Sequence, residues 1–545
     1  MTGRVNKERC EYYKKTGLWT EKTILDYWDD AVKKWGGREY VADSHGRHLT
    51  YSAIDQYADA LAAWMLAQGI EPGDLVTLQC TPRAEFVIAV YACVKTGAVI
   101  VPMKMRTGEE EWVRLMEQTR PKIHFCVNAY HGESLVDFVI EEEKRLEFPI
   151  VNVFIDEAHA EGAYFWDILK EPAQKLPHPK TCADDVALIL FTSGTTKGSR
   201  GVLLSHNNIV SSEQIFNKQL RFTEEDSIFM PAPLSHATGF HHAIISPMLY
   251  GGRVVLLETY APDQSLEMMK TEQCTYSMGA TPFLFDYLKL MDQGVEKPQS
   301  LKYYICGGAP VSKEIINHAW DAFHLLVCEC YGSTESVPHI LVPPELAVEI
   351  GGRYSGVAPK EIEVRVVDEF GNDVKPGEVG EEISRGPNVF LGYLNDEEST
   401  NAVLTEDGWY YSGDLCYTDG NGWIKICGRK KDIIVRGGEN LNINEIEANL
   451  IGCPGIDKVA IVGMKDERLG ERVCAFVVPD KSAALPTKES IASYLQSKKV
   501  SKWLWPERVE YIDALFYTDS GKVKRYLLQK ELERRMESEK EGISA

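Results

Sequence analysis

The chain has 545 residues, too many for one hydrophobic core, so it is expected to divide into two or more domains. Its 81 acidic against 59 basic side chains give a net charge of −22, which argues against a broad nucleic-acid surface but leaves room for a local basic site holding a small anion. Hydrophobic residues make up 44% and charged ones 26%, the balance of an ordinary globular protein, and no apolar run nears the roughly 18 residues that span a bilayer.

The opening MTGRVNKERCEYYKKTGLW lacks the apolar stretch of a secretion signal, and the closing EGISA is no peroxisomal address. Helical periodicity follows in YSAIDQYADALAAWMLAQGI (51–70), with Gly69 where a C-cap would fall. LVTLQC (75–80) reads as a strand, AEFVIAVYACVKTG (84–97) as a helix stopped by glycine, and AVIVPM (98–103) as a strand again. DVALILF (185–191), GGRVVLLE (251–258) and LKYYICGGAP (301–310) continue the alternation, which argues for parallel, doubly wound α/β sheets covered by helices. From about 355 the texture changes: EIEVRVVDEFGNDVKPGEVGEEISRGP (361–387) alternates short strands with turns and suggests a small β subdomain. A compact α+β unit is expected beyond about 431, after the charged GRKKDIIVRGGEN (428–440), and the final ELERRMESEKEGISA is expected to fray. Thirteen cysteines without metal-type spacing point to reduced, mostly buried thiols and a cytoplasmic location.

The stretch FTSGTTKGSRGV (191–202) concentrates chemistry. Its Gly194, Gly198 and Gly201 do not fit the G-x-x-x-x-G-K-[ST] spacing of a Walker loop. Glycines nonetheless let backbone N–H groups turn inward on an anion, Thr192, Ser193, Thr195 and Thr196 add hydroxyls, and Lys197 and Arg200 add charge. A solvated Ser/Thr-rich turn is the plainer alternative.

The same stretch resembles the signature of the adenylate-forming superfamily: acyl-CoA synthetases, luciferases and the adenylation domains of peptide synthetases. PLSHATG (233–239), GGAP (307–310), YGSTE (331–335), YYSGDL (410–415), GRKKDIIVRGGENLNINEIE (428–447) and TDSGKVKR (518–525) match further motifs in order. The resemblance implies an N-terminal AMP-binding domain over 1–430, with the β-rich part at about 355–430, and a mobile lid domain over 431–545. The implied reaction joins a carboxylate to the α-phosphate of ATP, expels pyrophosphate, and lets a thiol displace AMP, so positioning and fixed positive charge should dominate catalysis.

The roles carried over follow the motifs. Lys522 bridges the carboxylate and the α-phosphate. Glu335 holds Mg²⁺, a hard cation suited to carboxylate oxygens, and Thr334 touches phosphate. Thr192, Ser193, Gly194, Thr195, Thr196 and Lys197 clamp the phosphates. Gly307, Gly308, Ala309 and Pro310 wall the adenine, Tyr331 offers it a ring, and Gly332 and Ser333 complete that turn. Asp414 accepts hydrogen bonds from the ribose, and Arg429 assists at phosphate or ribose. His236, Ala237, Thr238 and Gly239 line the acyl pocket, with a merely packed His236 as the alternative. Lys431 occupies the hinge position and Gly438 the thiol tunnel. His241 and His242 are read as poor metal ligands, because no acidic residue lies between Ser227 and Leu257.

Relatives that activate amino acids place an aspartate where this chain has Ala237, so a plain carboxylic acid is favoured. The wording of the motifs looks closest to bacterial short- to medium-chain fatty acyl-CoA synthetases, with cyclohexanecarboxylate-type CoA ligases near. ATP, Mg²⁺ and coenzyme A are the expected cofactors, and a homodimer is left open. A ligase charging a separate carrier protein, a ligase for an aromatic acid, and an ATP sensor with a degenerate site are the alternatives. Departures from the family pattern fall at Lys197, Ser199, Arg200, Ile443 and Phe516.

Overall fold

Runs of Val, Ile and Leu bounded by glycine or charge form strands buried on both faces, as parallel sheets require. In the computed structural model, which describes residues 6–171, 174–192, 199–308, 311–430, 433–436, 439–466, 468–518 and 522–543, four such runs lie side by side. Leu75–Gln79, Val99–Pro102, Ile123–Cys126 and Val151–Phe154 pair in parallel within an eight-stranded sheet. The helix Ala84–Thr96 connects the first two and is buried along its whole length, packed against the helix Tyr51–Ala67 that leads into Leu75–Gln79. Gly97 stops that helix at φ 76°, a left-handed cap that glycine adopts without a Cβ penalty. The antiparallel hairpin Val186–Phe191 and Gly201–Ser205 extends this sheet and carries the serine- and threonine-rich loop at its tip.

A second sheet of thirteen strands has a parallel centre built from Glu39–Asp43, Arg253–Leu256, Ser227–Met230, Tyr276–Gly279, Tyr303–Gly307 and Leu326–Tyr331. The short strands beyond residue 355 do not hydrogen-bond as a separate layer. Glu363–Val367, Gly380–Arg385, Tyr410–Thr418 and Trp423–Arg429 pair antiparallel with one another and join the large sheet through Gly356–Val357 and Ile340–Leu341. This antiparallel end folds the Tyr410–Thr418 strand towards the carboxyl end of Leu326–Tyr331, and that is where the site forms.

The C-terminal unit pairs Ile456–Asp466 with Gly470–Pro479, adds Ile433–Arg436 and Glu439–Asn442, and takes Arg508–Tyr511 in parallel. Ile434, Leu441, Ile446, Leu450, Val473 and Val477 make its core. Ile443, one of the departures expected from the family pattern, starts the helix Ile443–Leu450 and is buried in that core. The last segment, expected to fray, is helical as far as Ile543. A helix runs Arg525–Ile543 because Leu528 and Leu532 are buried on the sheet beside Val462 and Phe476, and Arg508 and Arg535 hold Glu539 and Glu510 at 2.5 Å. Tertiary anchoring overrides the weak propensity of an exposed charged terminus.

All thirteen cysteines are free thiols and most are buried. Among the described residues no helix is long and apolar enough to cross a membrane.

Candidate active site

The strand Leu326–Tyr331 ends at Tyr331 and turns sharply through Gly332, where a Cβ would lie 2.7 Å from the Pro338 backbone. The turn closes as the Ser333 N–H donates to the Ser336 carbonyl at 2.9 Å. Tyr331 donates its hydroxyl to Asp414 Oδ2 at 2.7 Å, and the other oxygen of Asp414 accepts from Arg429 Nε at 2.8 Å. Arg429 is available because the antiparallel register sets it directly opposite Asp414. Burial pushes the Asp414 carboxyl up, while Arg429 and the Tyr331 hydroxyl pull it back down. Three residues expected at the nucleotide thus form one connected wall.

Glu335 is buried on the same turn, next to the partly exposed Thr334. Tyr393 donates its hydroxyl to Glu335 Oε1 at 2.8 Å, and the Phe390 N–H donates to the Glu335 carbonyl at 2.8 Å. The Arg200 guanidinium lies 4.4 Å from the centre of the Tyr393 ring, so its charge is stacked on an aromatic face. The loop's base is closed by the Thr192 N–H donating to the Arg200 carbonyl at 3.0 Å. Buried Ser199 donates to Glu111 at 2.5 Å, tying the loop to the helix Glu109–Thr119. Ser193, Gly194, Thr195, Thr196 and Lys197 lie outside the described residues, as do Ala309, Pro310, Lys431 and Gly438.

The C-terminal unit reaches this wall through Lys522. Gly308 sits at φ 86°, just past the strand Tyr303–Gly307, and a Cβ built there would lie 3.2 Å from Lys522 Cε and 3.9 Å from its Nζ. The field of Lys522 also reaches Asp414 and His236. His236 caps the single turn Ala237–Gly239, its Nδ1 accepting from the Thr238 N–H at 3.2 Å, which leaves the proton of the neutral ring on Nε2. Burial lowers its pKa to about 3, aided by the cations Lys522 and Lys104 and by His242, so the ring is neutral near pH 7.

Beyond Gly239 the chain continues as a π-helical stretch, Phe240–Ile245, a rare form that concentrates at functional sites. His241 and His242 are buried there, and the reading that they lack an acidic neighbour is corrected. Glu213, on the helix His206–Leu220, faces both, with His242 Nδ1 at 2.9 Å and His241 Nδ1 at 3.7 Å. Helix packing supplies a partner that local sequence did not contain. Among the described residues, the one trio of ligand-type atoms close enough for a metal ion is Glu39, His48 and Glu272, and Arg253 already pairs with both carboxylates.

Tyr393, Glu111, Glu382 and His339 were not singled out from sequence. Glu382 lies in the stretch 361–387 read as short strands and turns, and nothing local shows that its side chain turns to Tyr331 or that of Tyr393 to Glu335.

Comparison with known proteins identifies the family. A family model described as "AMP-binding enzyme" matches residues 28–394, and one described as "AMP-binding enzyme C-terminal domain" matches 445–522. The medium-chain fatty-acid–CoA ligase of Escherichia coli (strain K12) is 39% identical over 98% of this chain and 95% of its own length. The 2,3-dihydroxybenzoate-AMP ligase of Bacillus subtilis (strain 168) is 28% identical over 97% of each chain. Among solved structures, ATP-bound MatB from Rhodopseudomonas palustris superposes with a TM-score of 0.83 at 26% identity, covering 94% of this chain and 99% of its own. The strand-end wall around Asp414 and Glu335, and the lysine brought to it by a separate C-terminal unit, are therefore features of a protein that belongs to the AMP-binding enzyme family.

Proposed function

We propose that this chain is an ATP-dependent carboxylic acid–CoA ligase acting on medium-chain acids: it forms an acyl adenylate with release of pyrophosphate, then passes the acyl group to coenzyme A. The observation that carries this reading is the position of Lys522 against Gly308, with its field on both His236 and Asp414. A cation between the acyl side and the ribose side of the site is where adenylation needs one, because two anions, the carboxylate and the α-phosphate, must meet there. Asp414 and Arg429 take the ribose, Tyr331 faces the adenine, and neutral His236 lines the carboxylate pocket without adding charge.

The donor set at Glu335 suits Mg²⁺: one buried carboxylate, oriented by the Tyr393 hydroxyl, beside the hydroxyl of Thr334. When bound there, Mg²⁺ supplies charge neutralisation at the phosphates. The 39% identity with a medium-chain ligase supports that chain length, and Ala237 in place of an ammonium-binding aspartate supports an unsubstituted acid. A cytoplasmic location accords with thirteen free thiols.

A panel of straight-chain, alicyclic and aromatic acids, assayed for AMP formation with and without CoA, tests the proposal. CoA-dependent turnover that peaks at medium chain length is expected. Turnover only with aromatic acids, or only with a carrier protein as acceptor, would replace the substrate or acceptor assignment, and no turnover with any acid would overturn it. Gly438→Leu should spare acid-stimulated ATP–pyrophosphate exchange and stop thioester formation; equal loss of both half-reactions would remove Gly438 from the thiol path.

A further inference from the structure

Behind the nucleotide wall lies a second pair of ionisable residues that none of the expected roles uses. Glu382, on the strand Gly380–Arg385, is fully buried, and so is His339. His339 Nε2 lies 3.1 Å from Glu382 Oε1, and the other carboxylate oxygen lies 3.3 Å from the Tyr331 hydroxyl. The imidazole is tied at its second nitrogen, with Ser336 Oγ 3.2 Å from Nδ1, and Asn388 donates to that same Ser336 oxygen at 3.1 Å. The His339 ring meets the Tyr331 ring edge-on at 5.4 Å, and the His339 N–H donates to the Tyr331 carbonyl at 3.0 Å.

A buried carboxylate is costly unless it is paired and hydrogen-bonded, so its presence here calls for a reason beyond filling space. The geometry offers one. The Tyr331 hydroxyl has a single proton and lies between two carboxylates, at 2.7 Å from Asp414 and 3.3 Å from Glu382. The shorter contact takes the proton, and Glu382 brackets the phenol oxygen on its other side. The neighbouring Glu381 belongs to a different clasp, accepting from the Gly413 N–H at 3.0 Å and from Lys430 at 2.7 Å. Successive residues of one strand thus hold the strand segment around Asp414 from its backbone and from its side-chain partner, as the two faces of a strand allow.

We propose that Glu382 and His339 are positioning residues for the nucleotide: the pair fixes the Tyr331 hydroxyl against Asp414, and so fixes the carboxylate that holds the ribose. This rests on the reading of Asp414 as the ribose acceptor. Neither residue touches the reacting atoms; both act through Tyr331.

The test compares ATP with 2′,3′-dideoxy-ATP, which lacks the ribose hydroxyls, in acid-dependent pyrophosphate release by the full-length protein. Glu382→Leu is expected to raise the KM for ATP about five- to tenfold, the size of one hydrogen bond, here the Tyr331–Asp414 contact that the pair no longer holds in place, to leave the KM for the acid unchanged, and to shrink the preference for ATP over the dideoxy nucleotide by the same factor. Glu382→Gln, which keeps the shape and one hydrogen bond, should retain most of that preference. In a Tyr331→Phe background the Glu382→Leu change should add nothing, because both act through one hydroxyl. If Glu382→Leu does not fold, His339→Gln gives the same readout. An unchanged preference in folded Glu382→Leu, or additivity with Tyr331→Phe, overturns the proposal. Asp414→Asn separates the two ideas: if it also keeps the preference, the ribose reading itself fails, and if it alone loses the preference, only the positioning role fails.

Discussion

Gly239 provides a sharp test of how the acyl side of the site is built. A Cβ placed on it would lie 2.1 Å from the Pro233 carbonyl oxygen, 2.7 Å from the carbonyl carbon and 2.9 Å from Leu234 Cα. Ordinary van der Waals contact begins near 3.4 Å, so the backbone opposite must retreat by more than about 1 Å. The φ of Gly239 is −67°, which any residue adopts, so the obstruction is steric and not conformational. That same Pro233 oxygen accepts the His236 N–H at 3.1 Å, so the retreat carries His236 with it. Overpacking against backbone costs about 1–3 kcal/mol, and a displacement of about 1 Å at a positioning group costs about a hundredfold in rate. Gly239→Ala should therefore lower the urea midpoint and cut acid-stimulated ATP–pyrophosphate exchange, with the acid's kcat/KM hit hardest. Gly37→Ala, where a Cβ meets nothing within 4 Å, is the matched control and should change neither. If Gly239→Ala matched that control in both measurements, the tight Pro233–Gly239 contact would not be what seats His236.

Three further outcomes are expected. Lys522→Ala should reduce acid-dependent ATP–pyrophosphate exchange about 10²–10³-fold, the cost of removing one preorganised charge-stabilising donor, while thioester formation from supplied acyl adenylate falls far less; parallel loss of both would contradict a role confined to adenylation. Tyr393→Phe removes the hydroxyl that orients Glu335, and should shift the Mg²⁺ concentration giving half-maximal AMP formation several-fold; an unshifted curve would separate Glu335 from the metal. Burial lowers His124, His236 and His241 to about 3 and His206 to about 4, all below the 6.5 of an unfolded histidine. The unfolded chain therefore binds protons that the folded one refuses, and stability that is complete above pH 6.5 drains away as pH falls towards 4. His124→Phe should lessen the pH dependence of the urea midpoint between pH 6.5 and 4 by about one proton, and an identical slope would mean that His124 opens to solvent before the fold is lost.

The parts of this molecule legible in its sequence are those in which chemistry and backbone geometry are local. Strand Val99–Pro102 and the helix stopped at Gly97 follow from a hydrophobic run and a glycine, and YGSTE carries its turn and its carboxylate within five residues. What was not legible depends on contacts that close long loops. Tyr331 and Asp414 are 83 residues apart, and Glu335 and Tyr393 are 58 apart. Each residue was identified by its motif or passed over, but their hydrogen bonds exist only because the antiparallel strands after residue 355 pair onto the parallel sheet. The terminal helix was not legible for the same reason, since its anchors Val462 and Phe476 belong to strands far upstream.

Glu382 and Glu213 sharpen this point. Along a strand or helix with mixed burial, a lone glutamate is ordinarily assigned to solvent, because an unpaired buried carboxylate is expensive. Both are fully buried, and each meets a buried histidine contributed by a different segment, at 3.1 Å for His339 and 2.9 Å for His242. Periodicity cannot reveal such pairs, since the offsetting charge or hydrogen bond sits on another element. One pair stands behind the nucleotide wall and the other beside the helix that His236 begins. The two sides of the site are therefore each backed by a carboxylate–imidazole contact where apolar packing would cost less to build. Replacing both partners of a buried polar contact by apolar residues of similar shape is often nearly neutral for stability, so a variant stripped of the Glu382 pair that becomes no less stable but discriminates poorly among nucleotides is the combination that distinguishes positioning from mere support.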